Sequence, residues 1–266
     1  MINSCLCAAA RLYLPAYTCS RFASIANVVL LVVCLLPIAI QGADIHVPAD
    51  YVRIQDALDK AVEQDTVWVS AGSYYENLVI QNKAIALVAV SGSHKTSING
   101  SGTNTVIAIN GDGSTGRRTV RGFLFTNGVG NGGAMRIVNA SPYVEECIFH
   151  NSTGSDSGGP GGIMVENGEP LIVDSRITNN SVGMPTALGS GLHIDSLSVV
   201  TLLRCRVDQN LGMATTWRAD ANFGGALYVE GGILHATHTM IYGNWLSGIH
   251  NDGGTVNLLN SLVNIP

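Results

Sequence analysis

Two neighbouring stretches, GGAMRIVNASPYVEECIFHN at 132–151 and GGIMVENGEPLIVDSRITNN at 161–180, decide the reading of this chain. At a shift of 28 residues Pro142 falls on Pro170, Val144 on Ile172, Cys147 on Ser175 and Phe149 on Ile177. The pattern returns from Gly191-Leu192 through Leu202, Cys205, Val207 and Asn210. It returns again from Gly225-Ala226-Leu227 through Ala236, Thr239, Ile241 and Asn244. A last copy runs from Gly248 to Val263, and an earlier one is RGFLFTN, where Gly122 is expected in the place of Cys147. Each unit holds two or three short strands and cannot bury its apolar face alone, so stacking the units into a solenoid is the economical solution. Parallel coils about 4.8 Å apart follow. A propeller ranks well behind, because its blades repeat at about 40–45 residues and need hairpin turns that are missing here.

Upstream, strand-like runs appear at 66–69, 78–80, 85–90, 105–109 and 119–125, divided by Gly, Asn and Ser. Ahead of them YVRIQDALDKAVEQ spaces Ile54, Leu58, Ala61 and Val62 as one helical stripe, with Asp50 placed to cap it. With no helical partner in the sequence, this stripe should cover the end of a strand-built body. At the other end 255–259 and 262–265 still read as coil strands, and no second amphipathic segment follows. The last coil should therefore expose its core. The expectation is end-to-end self-association there, or a further domain in a longer chain, the second being favoured.

Composition agrees with β structure and excludes some functions. Of 266 residues 12% are charged and 31 are glycine. A net charge of −5 gives no general attraction for nucleic acid or anionic membrane. Residues 25–40 are nearly all apolar, follow Arg11 and Arg21 and precede Gly42-Ala43, so 1–43 reads as a secretory signal peptide and 44–266 as the β-helix domain. The alternative is an uncleaved anchor, but the run is shorter than the roughly 20 apolar residues a span needs and contains Pro37. The destination is extracellular or the cell surface. Four cysteines fall in the leader; Cys147 and Cys205 remain, two coils or about 9.6 Å apart, and should be unbonded.

Gly132-Gly133-Ala134-Met135, Gly161-Gly162-Ile163-Met164 and Gly224-Gly225-Ala226-Leu227, each followed by an aromatic or aliphatic residue and Asn, resemble the GGA(I/L)…FxxN repeats of polymorphic outer membrane proteins. IHVPADYVRIQDALDKAVEQDTVWVSAGSYYENLVI at 45–80 resembles the first coil of the pectin-lyase-like superfamily, pectinesterases included. Together these imply an all-β, single-stranded, right-handed parallel β-helix over nearly the whole exported region. They say little of chemistry, since one architecture hosts many functions. Gly72-Ser73-Tyr74-Tyr75-Glu76 resembles an early pectinesterase segment, yet nothing downstream resembles that family's two catalytic aspartates or its Arg-Trp motif. The Asp-Asp and Gly-His-Gly motifs of polygalacturonases and the Asp-Pro-His of alginate epimerases are missing too.

If Cys147 and Phe149 point inward, their neighbours point out. One outward column then reads Arg121, Glu146, Asp174, Arg204, His238 and Asn260, and the next contains Arg176 and Arg206. The set Glu146, Asp174, Arg176, Arg204, Arg206 and His238 is the candidate ligand site, with the first five expected on one exposed sheet. Two carboxylates could hold calcium while an arginine meets the carboxylate of an acidic sugar, an arrangement that polysaccharide lyases of this fold permit by resemblance. The plainer reading is a solvated ladder of alternating charge that stabilises stacking modestly. His193, His235, His238 and His250 are too dispersed in sequence for a zinc motif. Asn127, Asn151 or its neighbour, Asn180, Asn210 and Asn244 should form an inward structural ladder, and the Asn-x-Ser/Thr sites at Asn99, Asn139, Asn151 and Asn179 decide nothing. The favoured function is non-catalytic binding of glycans or partner proteins. The alternative is a polysaccharide-active enzyme, a calcium-dependent lyase or a carbohydrate esterase, acting on acidic polysaccharide.

Overall fold

A computed structural model describes residues 42–264 except 114, 115, 117, 156–158, 183–188, 213–224 and 246. The expected signal peptide thus lies outside the described residues. Among those residues no helix is long and apolar enough to cross a membrane. The body is a right-handed parallel β-helix of three sheets: sheet I with nine strands, sheet II with eight and sheet III with seven.

One coil shows the course of all. Tyr143–Glu145 lies in sheet I, Ile148–His150 in sheet II and Ile163–Glu166 in sheet III, after which Leu171–Val173 re-enters sheet I one rung higher. Only two residues, Glu146 and Cys147, separate the first two strands, so the chain must bend sharply there. It does so by placing one residue per coil in the left-handed region: Gly122, Glu146, Asp174, Arg204, His238 and Asn260, with φ between 48° and 80°. The following residue turns inward, and Cys147, Ser175, Cys205 and Thr239 form the expected buried stack.

This corner also explains the residue types in the stack. The N–H of Cys147 donates to Ser175 Oγ at 3.1 Å, that of Cys205 to Thr239 Oγ1 at 3.2 Å, and that of Thr239 to Ser261 Oγ at 3.0 Å. A bend breaks the sheet ladder, and a small hydroxyl on the next coil satisfies the amide left over. In the earliest copy the register differs from expectation by one. Leu124 pairs with Ile148, so buried Phe123 takes the Cys147 place and Gly122 takes the bend. The run 119–125, read as one strand, is accordingly two strands in two sheets. Strands at Asp44–Val47, Gly72–Tyr75 and Thr96–Asn99 were not expected from the sequence.

Alternation then fills the core. Phe125, Phe149, Ile177, Val207 and Ile241 stack through sheet II, fully buried, with Phe125 and Phe149 face to face at 5.5 Å between ring centres. The asparagine ladder is real but shorter than expected. Asn180, Asn210 and Asn244 are buried, while Asn127 and Asn151 take the outward left-handed bend and Ser152 occupies the inward place.

Helix α1, Ile54–Lys60, packs on the first coil as anticipated. Its capping differs. Asp50 accepts instead from His46 N–H, and Glu76 from the first full coil accepts from Ile54 and Gln55 N–H at 2.9 and 3.0 Å. Val62 lies past the helix end and is exposed. In the last described coil the inward residue Leu258 is 46% exposed, whereas Leu202 and Ala236 in the same column are fully buried.

Candidate functional site

The six residues singled out from sequence do not share one sheet. Glu146, Asp174, Arg204 and His238 occupy the left-handed bend between sheets I and II, while Arg176 and Arg206 stand on sheet II. Their polar groups already have partners, mostly outside the six. Arg204 meets both oxygens of Asp174 at 2.7 Å, and Arg121 Nε lies 3.0 Å from Glu146 and 3.3 Å from Glu145. Arg176 and Arg206 converge on Asp208, whose carboxylate is wholly buried, and Arg206 also covers the ring of Tyr242 at 4.8 Å. His238 Nε2 lies 3.3 Å from Asn260 Nδ2. An open groove of about 480 Å³ runs past His94, Glu146, Asp174 and Arg176. The donor set there does not fit calcium, which takes six to eight oxygens: it offers two carboxylates, each already facing an arginine.

A different face carries the denser chemistry. Sheet III is built from Leu78–Gln81, Ile107–Asn110, Met135–Val138, Ile163–Glu166, Leu192–Ile194, Leu227–Glu230 and Ile249–Asp252. Its inward residues are aliphatic, so the alternate positions face out. The outward column reads Arg136, Met164, His193, Tyr228 and His250, each in register with the next. Two residues beyond each of the last four the chain places an acid: Glu166, Asp195, Glu230 and Asp252.

These two columns are tied by a diagonal that climbs one coil at each step. Arg136 Nε donates to Glu166 Oε2 at 2.6 Å, His193 Nε2 lies 3.0 Å from Glu230 Oε2, and Tyr228 Oη donates to Asp252 Oδ2 at 3.0 Å. The break in the pattern has a plain cause. Met164 has no proton to offer Asp195, so Asp195 turns into the following bend, where it accepts from the N–H groups of Asn167 and Leu197 and from the Ser198 hydroxyl. The rings pack along the column: His193 meets Tyr228 edge to face at 4.9 Å, and Tyr228 stacks on His250 at 5.3 Å. Their edges, not their faces, are therefore turned outward.

Electrostatics follow from this packing. Burial pushes the His193 pKa down, against the opposing pull of Glu230, Asp195 and Glu166, which favours a neutral imidazole. Its Nδ1 is buried and has no hydrogen-bond partner among the described residues. Burial, then the hydrogen bond to Asp252 and the charges of Asp252 and Glu230, push the Tyr228 phenol up to about 12. The groups that meet Glu230 and Asp252 are thus an imidazole whose neutral form is favoured and a phenol. Among the described residues no group of three or more His, Cys, Asp or Glu is placed to hold a metal ion.

Sequence reasoning missed this face because it followed the bend column. The signal was present in the recurring apolar–x–apolar–acid quartets Ile163-Met164-Val165-Glu166, Leu192-His193-Ile194-Asp195 and Leu227-Tyr228-Val229-Glu230. His193 and His250, distant in sequence, stand two coils apart on one column.

No protein-family model matches the chain, and no curated protein matches it. Among solved structures it is similar to pectin methylesterase from Aspergillus niger in two forms. For the penultimately deglycosylated form the TM-score is 0.46 at 13% identity, over 83% of this chain and 85% of that one. For the deglycosylated form it is 0.46 at 14% identity, over 83% and 84%.

Proposed function

We propose that this protein is exported and binds glycans through the outward face of sheet III. One observation carries the reading: a donor-to-carboxylate diagonal between neighbouring coils, interrupted only at Met164, that ends in two exposed carboxylates, Glu230 and Asp252, met by an imidazole and a phenol. A polysaccharide presents hydroxyls in a row, and a solenoid presents acceptors in a row about 4.8 Å apart. Backbone groups of the face are consumed by the sheet, which leaves recognition to these side chains. The test is a glycan array with the wild type and a Glu230→Gln, Asp252→Asn double variant. Binding lost in the variant supports the face; binding that persists there and disappears in Arg204→Ala moves the site to the bend column.

A second reading, a polysaccharide-active enzyme, is favoured by the His193–Glu230 pair, since an imidazole oriented by a carboxylate is the usual form of a general acid or base. Incubation with any glycan that binds, followed by assay for new chain ends or released ester groups, separates the two. Turnover that His193→Ala abolishes while binding remains would select the enzyme.

A further inference from the structure

We propose that His193 is a proton-operated latch on sheet III: neutral, it ties two coils together through Glu230, and protonated, it leaves its place and opens the outward column. The device goes beyond the glycan reading and does not depend on it. His193 is only 6% exposed although it stands at an outward position, in register between Met164 one coil before and Tyr228 one coil after. It meets the Tyr228 ring edge to face at 4.9 Å. Its Nε2 lies 3.0 Å from Glu230 Oε2, and its Nδ1 is buried with no hydrogen-bond partner among the described residues. A neutral ring donating from Nε2 leaves only a lone pair at Nδ1. An imidazolium donates from both nitrogens. In this place its second N–H would be a buried donor with nothing to meet, on a ring whose charge has been taken out of water.

The surrounding charges do not supply what Nδ1 lacks. Glu230, at the end of strand Leu227–Glu230, reaches the ring but serves Nε2. Glu166, on the coil before, is held by Arg136 at 2.6 Å. Asp195, two residues along the chain from His193, is turned into the bend, where it accepts from Asn167, Leu197 and Ser198. Asp252 takes the Tyr228 hydroxyl, and His250 stacks on the Tyr228 ring. Burial therefore outweighs the pull of Glu230, Asp195 and Glu166, and the ring stays neutral below the pH at which a free imidazole takes up a proton. Once charged, it is stable only in water, and its exit frees both Glu230 and the edge of Tyr228. The backbone pairing of Leu192–Ile194 with Leu227–Glu230 does not involve the ring, so the coils stay stacked and only the side-chain column opens.

The experiment follows the histidine and tyrosine ring protons of the full chain by NMR from about pH 8 to about pH 4, in wild type and in His193→Met, methionine being the residue of the same column one coil before. The His193 signals, assigned by their loss in the variant, should titrate with a midpoint below about 6.5. The Tyr228 signals should move with that midpoint in the wild type and not in the variant. Urea unfolding adds a second readout. A folded value below the unfolded one gives stability that is complete above the unfolded value and lost as pH falls through the folded one. The wild type should accordingly lose more of its urea midpoint than His193→Met between about pH 7 and about pH 5. A His193 midpoint above about 6.5 would show an imidazolium held in place by Glu230 and would overturn the latch. Tyr228 signals that stay still while His193 titrates, or equal losses of the two proteins in urea, would overturn it as well. Should the variant not fold, the through-space contact between the two rings assigns His193, and the wild-type titration alone decides.

Discussion

Arg204 places Nε and Nη2 each 2.7 Å from an oxygen of Asp174 on the coil before it, and both residues hold left-handed backbone, φ 53° and 48°. Two terms therefore oppose each other at one position. The ion pair is fully exposed and screened by solvent, so it adds little, while a non-glycine residue in this region costs roughly 1–2 kcal/mol. Arg204→Gly loses the first and relieves the second, so it should be at least as stable as wild type. Arg204→Ala loses the pair and keeps the strain. Denaturant unfolding should find the alanine variant less stable than the glycine one; the reverse order would show that the bend is not strained.

The buried asparagines are a stricter matter. Asn210 Oδ1 accepts from Asn180 N–H at 3.1 Å, and Asn210 Nδ2 donates to Ile177 O at 2.9 Å, so this side chain satisfies the backbone of an adjoining coil on both sides of a bend. Asn210→Ala leaves the buried Asn180 N–H without its acceptor, while Ile177 O stays in the strand ladder. We expect a loss of about 1–3 kcal/mol in unfolding free energy. Asn127→Ala, on a half-buried bend, should lose less than about 1 kcal/mol. Equal losses would argue against a specific role for the inward ladder.

The architecture was legible in the sequence because each coil repeats an inward pattern, and repetition survives loops of unequal length. The 28-residue shift between Pro142 and Pro170 fixed Cys147, Ser175, Cys205 and Thr239 in one column, and the structure buries all four. What failed was the position of bends. A left-handed corner at Gly122 or Asp174 interrupts alternation without interrupting the apolar pattern, so Thr119–Phe125 read as one strand and the bend residues read as an outward strand column. The polar partners were less legible still. That Arg204 faces Asp174, or that His193 faces Glu230 on the next coil, depends on the register between coils separated by loops of different length. Nothing local in sequence states that register.

Cys147 and Cys205 sit in the inward stack with Ser175 between them, and both are free thiols. Burial pushes their pKa up, to about 12 for Cys147 and about 11 for Cys205, so the reactive thiolate is scarce at neutral pH. In the folded protein both should resist alkylation at pH 8 for as long as the fold persists. Unfolding without reductant should expose both to labelling by mass spectrometry. A product with neither labelled would require a disulfide and break the coil register.

Asp208 offers a test with a pH signature. Its burial alone would raise its pKa, but hydrogen bonds and charge from Arg176 and Arg206 prevail and hold it below the ordinary 3.8. A carboxyl whose folded pKa lies below its unfolded one adds stability that is complete above the unfolded value and lost as pH falls through the folded value. Asp208→Asn removes that term and leaves two guanidinium groups, 37% and 40% exposed, facing one buried amide. Both guanidinium groups reach solvent, so the substitution leaves no buried charge unpaired and the solvent-screened interaction contributes about 1 kcal/mol; the variant should fall short of wild type by about that amount at pH 7. The gap should hold down to about pH 4 and close below it, as protonation of Asp208 in the wild type brings the two proteins to the same state. Urea unfolding of both proteins between pH 7 and pH 2.5 measures the gap directly. A difference that stays constant across that range would assign the loss to packing and not to the charge of Asp208.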